Sequence, residues 1–368
     1  MVNLQAKEEF LKITKFIYFS IRLVTFDCGF FSKNAGKFLS LFYIFINIYL
    51  TFEKTSLVEQ ENILELCLGF CTIVGLGSIS TKVFTVCYYE DEIVELFTWI
   101  ENFYFDNTEP ILVKLRAKSL DKILWILKLF LKFYISFIVF VVTYVNFYYL
   151  INDIQVINIP WGMPKTITVY LQLVIYFSFT VIYGIPIMCF GCLGIIFIEI
   201  LNFFNESIAL LENSEEESLD NGFILILHKL HCEIYGKFCI YESIFAYSVF
   251  FDLFFNTTSM IGIMLLTRLY PDISIFYIIF ITLASQILIY CIFGELIFTE
   301  TEKILESLYM TKWYDLNRED KRAILLLMMM SSRPFGLKAA GMYNINIILF
   351  VQIIKLGFSY CAILYAFL

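Results

Sequence analysis

Histidine is nearly absent from this chain. The two that occur among 368 residues, His228 and His231, stand three positions apart in one segment, with Cys232 and Cys239 nearby. A zinc centre needs three or four ligands in a closed geometry, and a Ser-His-Asp hydrolase needs its histidine beside the nucleophile. Both classes therefore lose their central residue, as does an intramembrane zinc hydrolase, and neither a metal nor any other cofactor is expected. Charge is scarce too: Asp, Glu, Lys and Arg make up 16% of the chain, against about 25% in soluble domains. The net charge is −8 with no dense basic run, so no nucleic-acid partner is expected, because nothing is present to neutralise a phosphate backbone. Glu8, Glu9, Lys12, Lys15 and Arg22 interrupt every apolar stretch of the N-terminus, which excludes a signal peptide there. No internal repeat marks a transporter built from duplicated halves. The ten cysteines form no disulfide framework, since most lie in or beside apolar runs and Cys28, Cys232 and Cys239 fall in segments read below as cytosolic. They read as small hydrophobes.

What the chain has instead is apolar length. Sixty per cent of its residues are hydrophobic, 19% are aromatic and the mean hydropathy is +0.78. A bilayer core takes about 20 apolar residues per helix. Seven runs qualify, over 38–52 (with its flanks), 63–87, 123–150, 167–203, 240–267, 273–299 and 341–367. Lys and Arg in the connecting segments are lopsided. Residues 1–37, 88–122, 204–239 and 300–340 hold six, four, two and seven, nineteen in all, against three (Lys54, Lys165, Arg268) in the alternate segments. Basic residues stay inside, so the expectation is an all-α membrane protein of seven transmembrane helices, with the N-terminus cytosolic and the C-terminus extracellular. That orientation is the reverse of a G-protein-coupled receptor.

Finer features follow. Phe10, Ile17 and Val24 share a helical face, as do Leu4, Leu11 and Tyr18, which suggests an amphipathic helix on the inner membrane surface. Thr108 and Pro110 mark a helix start well before the third span. The fourth run is too long for a perpendicular span, and Gly184 with Pro186 should kink or break it. The acidic stretch 213–222 reads as a solvated turn. Asp252, with Asn256 four residues on, and Lys355 are ionisable or polar groups inside spans, either pairing helix to helix or lining an aqueous path.

The last run, "GMYNINIILFVQIIKLGFSYCAILYAFL", mixes polar residues into a segment that water rejects. On a helix, Gln352, Lys355, Ser359, Ile363 and Ala366 fall on one stripe, with Ile354, Phe358, Cys361 and Tyr365 opposite. The stripe suits either a helix bordering a narrow conduit with a hydrophobic constriction or polar contacts between packed helices. Lys355 would need an acidic or carbonyl partner, for which Asp252 is a candidate.

From Tyr309 onward the sequence resembles the insect odorant receptor family. The residues that carry this are Trp313 and Tyr314, then Arg333, Pro334, Leu337, Ala340 (offset by Ala339) and Gly341, then Ile353, Ile354, Lys355, Ser359 and Tyr360. "YCIFGELIFTE", with Tyr290, Cys291, Gly294 and Glu295, is similar to the end of the family's sixth span. Gustatory receptors, the sister family, end differently, and Ser359-Tyr360 favours the odorant branch. The resemblance implies a ligand-gated, non-selective cation channel of four subunits around a pore lined by the seventh span. Its partner would be the olfactory co-receptor in a heterotetramer in the plasma membrane of a sensory dendrite. The short connection between spans four and five implies the odorant-specific subunit. The alternatives are a gustatory receptor-type channel and a G-protein-coupled chemoreceptor.

The resemblance also divides the chain: 1–37 a cytosolic N-terminal segment, 38–299 six spans with a ligand pocket in their outer half, 300–340 a cytosolic anchor, and 341–368 the pore helix. A small volatile odorant is implied between spans two, three, four and six. Projected onto the topology, the outer-half candidates are Phe70, Tyr144, Tyr148, Tyr170, Phe177, Tyr277 and Phe280, with hydrogen bonds from Tyr144, Tyr148 or Tyr277. The pore candidates are Gln352, Ser359, Ile363 and Ala366, with Ile363 as the constriction.

Overall fold

Residues 4–26, 33–57, 63–106, 109–152, 165–211 and 222–367 are described by the computed structural model. Ten α-helices account for nearly all of them: α1 (Leu4–Val24), α2 (Lys33–Ser56), α3 (Ile63–Tyr88), α4 (Glu90–Phe105), α5 (Pro110–Ile151), α6 (Lys165–Ala209), α7 (Phe223–Leu269), α8 (Ser274–Met310), α9 (Arg318–Ser331) and α10 (Ile347–Phe367). Seven of these, α2, α3, α5, α6, α7, α8 and α10, are long and apolar enough to cross a bilayer.

Helix length explains the shape of the bundle. α5, α6 and α7 contain 42, 45 and 47 residues, or roughly 63–70 Å at about 1.5 Å per residue, twice the ~30 Å hydrocarbon core. Their surplus joins α1, α4 and α9 in a second packed zone at the basic end. α6 is the central element, buried along most of its apolar stretch against α5, α8, α3 and α7. It runs unbroken through Pro186, contrary to the broken turn the sequence suggests. Two residues before the proline, the Tyr134 hydroxyl donates to the Gly184 carbonyl at 2.8 Å and ties α5 to α6. Pro110 opens α5 as expected, where its absent N–H costs nothing. The Thr108 cap and the acidic turn at 213–221 lie outside the described residues.

α1 departs from the expectation of a surface-lying helix. Phe10, Ile17 and Val24 are buried within the core, and α1 packs on α3, α4, α5 and α6. Its apolar face is thus covered by protein, while Phe16, Phe19 and Leu23 stay exposed on another side. α4 turns back directly after α3 and buries Ile93, Phe97, Ile100 and Tyr104. Trp99 donates from Nε1 to Glu233 at 2.5 Å, tying α4 to α7.

The seventh span begins later than its apolar run. Lys338–Ala339 pairs with Tyr343–Asn344 as a short hairpin, and α10 starts only at Ile347. Ala340 (φ 49°) and Gly341 (φ 71°) occupy the two central positions of a turn closed by Met342 N to Ala339 O at 3.0 Å. Two left-handed residues in succession make a type I′ turn. Asn346 then caps α10, its side-chain oxygen accepting from Leu349 N at 2.9 Å. So Asn344 and Asn346 belong to a docked turn, and only the residues from 347 on face the spanning environment. The hairpin sits on α7 and α8: Ala340 N donates to the Ala246 carbonyl at 3.0 Å, and a Cβ on Gly294 would meet the Ile345 carbonyl oxygen at 2.0 Å. Gly294→Ala must therefore push the turn off α8. The expected loss is about 1–3 kcal/mol, as for an overpacked core, checked by thermal melting in detergent.

Candidate functional site

The spans hold one fully buried ion pair among the described residues. Lys82 on α3 places its ammonium 2.7 Å from Asp252 Oδ1 on α7, and the two side chains are 1% and 0% exposed. Charges in the hydrocarbon zone are tolerated when paired and hydrogen-bonded, and here the ion pair is supported by further hydrogen bonds to the Asp252 carboxylate. The Ser78 hydroxyl donates to Asp252 Oδ1, Gln286 Nε2 donates to Oδ2, and the Tyr183 hydroxyl donates to Gln286 Oε1. The ammonium also stands over the Tyr183 ring, 3.8 Å from its centroid. One cluster thus ties α3, α6, α7 and α8 together at mid-depth. Asp252 pairs helix to helix, but with Lys82 and not with Lys355, which is exposed on α10.

Two cavities border this cluster. The first, about 270 Å³, is walled by Thr72 and Ser78 of α3, Phe137 of α5, Tyr176 and Tyr183 of α6, Asn256 of α7 and Thr282 of α8. The second, about 390 Å³, lies between α5, α6 and α8 and includes Phe130, Tyr134, Ile187, Gln286 and Ile289. Phe137, Ile138, Tyr183 and Thr282 contribute to both. The linings are dominated by apolar and aromatic side chains with a few polar groups, the usual make-up of a small-molecule site.

None of the seven aromatics projected from sequence lines either cavity. Phe70, Tyr170, Phe177 and Tyr277 are exposed on the bundle surface, with Phe177 bordering a separate groove between α1, α5 and α6. Tyr144, Tyr148 and Phe280 are partly buried and pack against a small cluster of Leu68, Tyr149, Ile263, Leu266, Ile275 and Phe276. The Tyr144 hydroxyl bonds Ser274 at 2.6 Å, and that of Tyr277 donates to the Pro271 carbonyl at 3.4 Å. These residues roof the bundle end at which α6 begins. On α3, α5 and α8 the cavities begin within a turn of these residues and extend deeper, at Thr72–Ile79, Phe137–Val141 and Thr282–Gln286. Tyr144, Tyr148 and Phe280 pack into the small cluster at the bundle end, whereas small Gly75, Ser78 and Thr282 leave room below.

Lys82 escaped the reading because it is close in sequence to a basic end. The usable signal was electrostatic: a lysine within one apolar run and an aspartate within another are far less costly together than apart.

α10 docks on α7 and α8 through one face. Gly357 and Cys361 are buried, and Phe350 and Ile353 pack on the core. Gln352, Ser359, Ile363 and Ala366 are all exposed, and at 100° per residue they project from the side opposite Gly357. Among the described residues their stripe is the exposed side of α10, with Ser359 donating to the Lys355 carbonyl of its own helix at 3.0 Å. A Cβ at Gly357 would lie 3.0 Å from Met260 Cε and 3.2 Å from Met264 Sδ, so glycine permits close approach of α10 to α7.

Together these features define a class: a seven-span helical membrane bundle with largely apolar cavities between its helices and one span exposed along a stripe. Residues 62–358 match the 7tm odorant receptor family. The chain belongs to that family, which places it among receptors and not enzymes. It is 25% identical over 88 residues to odorant receptor 33b of Drosophila melanogaster and 23% identical over 143 residues to the odorant receptor coreceptor of Harpegnathos saltator. Those alignments cover 24% and 39% of this chain, and the chain spans only about a quarter of the curated relatives, 23% and 26%. In three dimensions it is similar to the insect olfactory receptor OR5 from Machilis hrabei, determined in complex with eugenol. The TM-score is 0.82 at 13% identity, over 98% of this chain and 100% of that one.

Proposed function

We propose that the chain is the odorant-specific subunit of an odorant-gated, non-selective cation channel. A small volatile, mainly apolar molecule enters the cavities beside Phe137 and Tyr183, with the seven roof and surface aromatics along its approach. Binding opens a central pore that α10 lines together with the corresponding helices of an olfactory co-receptor in a heterotetramer. The N-terminus is cytosolic, the C-terminus extracellular and the location the plasma membrane.

One observation carries this reading: α7 and α8 wall the first cavity on one side and seat α10 on another. A ligand that shifts them acts on the pore helix directly, with no intermediate element. Support also comes from the exposed stripe of α10, from family membership, and from the coreceptor and OR5 similarities.

The test is electrical. Co-expressed with an insect co-receptor, the chain should pass odorant-evoked cation current within milliseconds and without added nucleotide. A response that disappears when G-protein signalling is blocked would remove the channel reading. A tag on the N-terminus should stain only permeabilised cells, and staining of intact cells would reverse the orientation.

A further inference from the structure

The wall of the 270 Å³ cavity carries more polar atoms than its apolar character suggests, and most of them are already engaged. Thr72, Thr180 and Thr282 each donate to a carbonyl in the preceding turn of their own helix, all at 2.8 Å. Ser78 is held by Asp252. Two buried atoms remain without a hydrogen bond: the Tyr176 hydroxyl, which has Thr72 beside it, and Nδ2 of Asn256. Asn256 is 2% exposed. Both are donors. A buried donor left unpaired is costly, and in native proteins it commonly marks a place where something else binds.

On this ground we infer that the cavity takes a neutral carbonyl compound, a ketone, aldehyde or ester, whose oxygen accepts from Asn256 Nδ2. Its hydrocarbon part lies against Phe137, Ile138, Val141, Phe179 and Leu283. The inference rests on the cavity being the odorant site and adds the ligand's chemical class. A buried amide donor facing the space calls for an acceptor, which a carbonyl supplies and a hydrocarbon does not. An ionic ligand is disfavoured, because Lys82 and Asp252 satisfy each other and no further buried charge faces the cavity. At about 30 Å³ per water-sized group, the space admits on the order of ten non-hydrogen atoms.

The experiment uses the purified full chain and two probes of equal shape: methyl pentyl ketone, and the alkene in which C=CH₂ replaces C=O. Thermal stabilisation against ligand concentration gives an apparent affinity for each. The ketone is expected to bind roughly tenfold more tightly, the equivalent of one net hydrogen bond. In Asn256→Leu the ratio should fall to about one while alkene binding persists, which also shows that the variant is folded. Asn256→Gln, which keeps the amide, should retain part of the preference. Equal affinities in the wild type, or an unchanged ratio in Asn256→Leu, overturns the carbonyl inference. Val141→Phe separates the two levels. If filling the cavity leaves both probes bound as before, or if neither probe binds the wild type, the cavity is not the site and the inference falls with it. If it removes both while the ratio ignores Asn256, only the carbonyl assignment fails.

Discussion

Asp252→Ala is expected to lower the melting temperature of the purified chain by on the order of ten degrees, and most of the protein should fail to reach the cell surface. The substitution leaves Lys82 without a counter-ion in a site where its side chain is 1% exposed. It also strips Ser78 and Gln286 of their acceptor. Breaking a buried pair from one side costs about 3–5 kcal/mol, whereas neutralising both sides at similar volume is often tolerated. The double variant Lys82→Met with Asp252→Asn should therefore recover most of the loss, because no unpaired charge remains. Fluorescence-detected size-exclusion melting of the wild type, both single variants and the double variant measures the coupling directly. A double variant as unstable as the worse single one would show that the two residues act separately, and the pair would lose its assigned role. A stable double variant can then be asked whether odorant response survives, since the cluster joins the three helices Ser78, Tyr183 and Gln286 contribute to the cavity walls.

The second large effect concerns α10. In the channel co-expressed with its co-receptor, Ile363→Ala is expected to raise ligand-independent current by on the order of tenfold. This corresponds to about 1.4 kcal/mol in the balance between closed and open states. A branched side chain at one level of a narrow pore helps water leave it, and a smaller one lets water return. In the proposed heterotetramer this chain would supply only part of the ring, so ligand should still increase the current. Accessibility locates the face: Ser359→Cys and Ile363→Cys should react with a water-soluble cationic thiol reagent during odorant application. Ile353→Cys, which packs on the bundle, should stay protected. Reaction at 353 with none at 359 and 363 would mean that the stripe has been assigned to the wrong side of the helix.

Much of the architecture was legible beforehand because the bilayer simplifies the reading. Seven apolar runs became the seven candidate spans, since a backbone crossing lipid has to satisfy its own hydrogen bonds and a helix does so within one segment. The ends were less legible. The sequence run beginning at Gly341 is apolar enough to read as helix, but a hairpin seated on Gly294 occupies its first six residues, and only the neighbour α8 explains that. The stripe on α10 was visible as a periodicity, yet periodicity alone cannot say which face is bare. That required Gly357 and Cys361 to be seen buried against α7 and α8.

The sequence by itself determined class, span number and the polar inventory of the spans, because these follow from hydropathy, length and charge, which are local properties. Tertiary structure alone decided pairings and voids. Lys82 lies 170 residues from Asp252, counting from 82 to 252, and nothing local distinguishes that partner from Lys355. Which aromatics near the bundle end pack inward and which face outward depends on neighbours from other helices: Tyr144, Tyr148 and Phe280 join a buried cluster, and Phe70, Tyr170, Phe177 and Tyr277 are exposed. Cavities form where side chains from five helices fail to fill the space between them, and such a shortfall of volume belongs to the assembled bundle and not to any single segment of the chain.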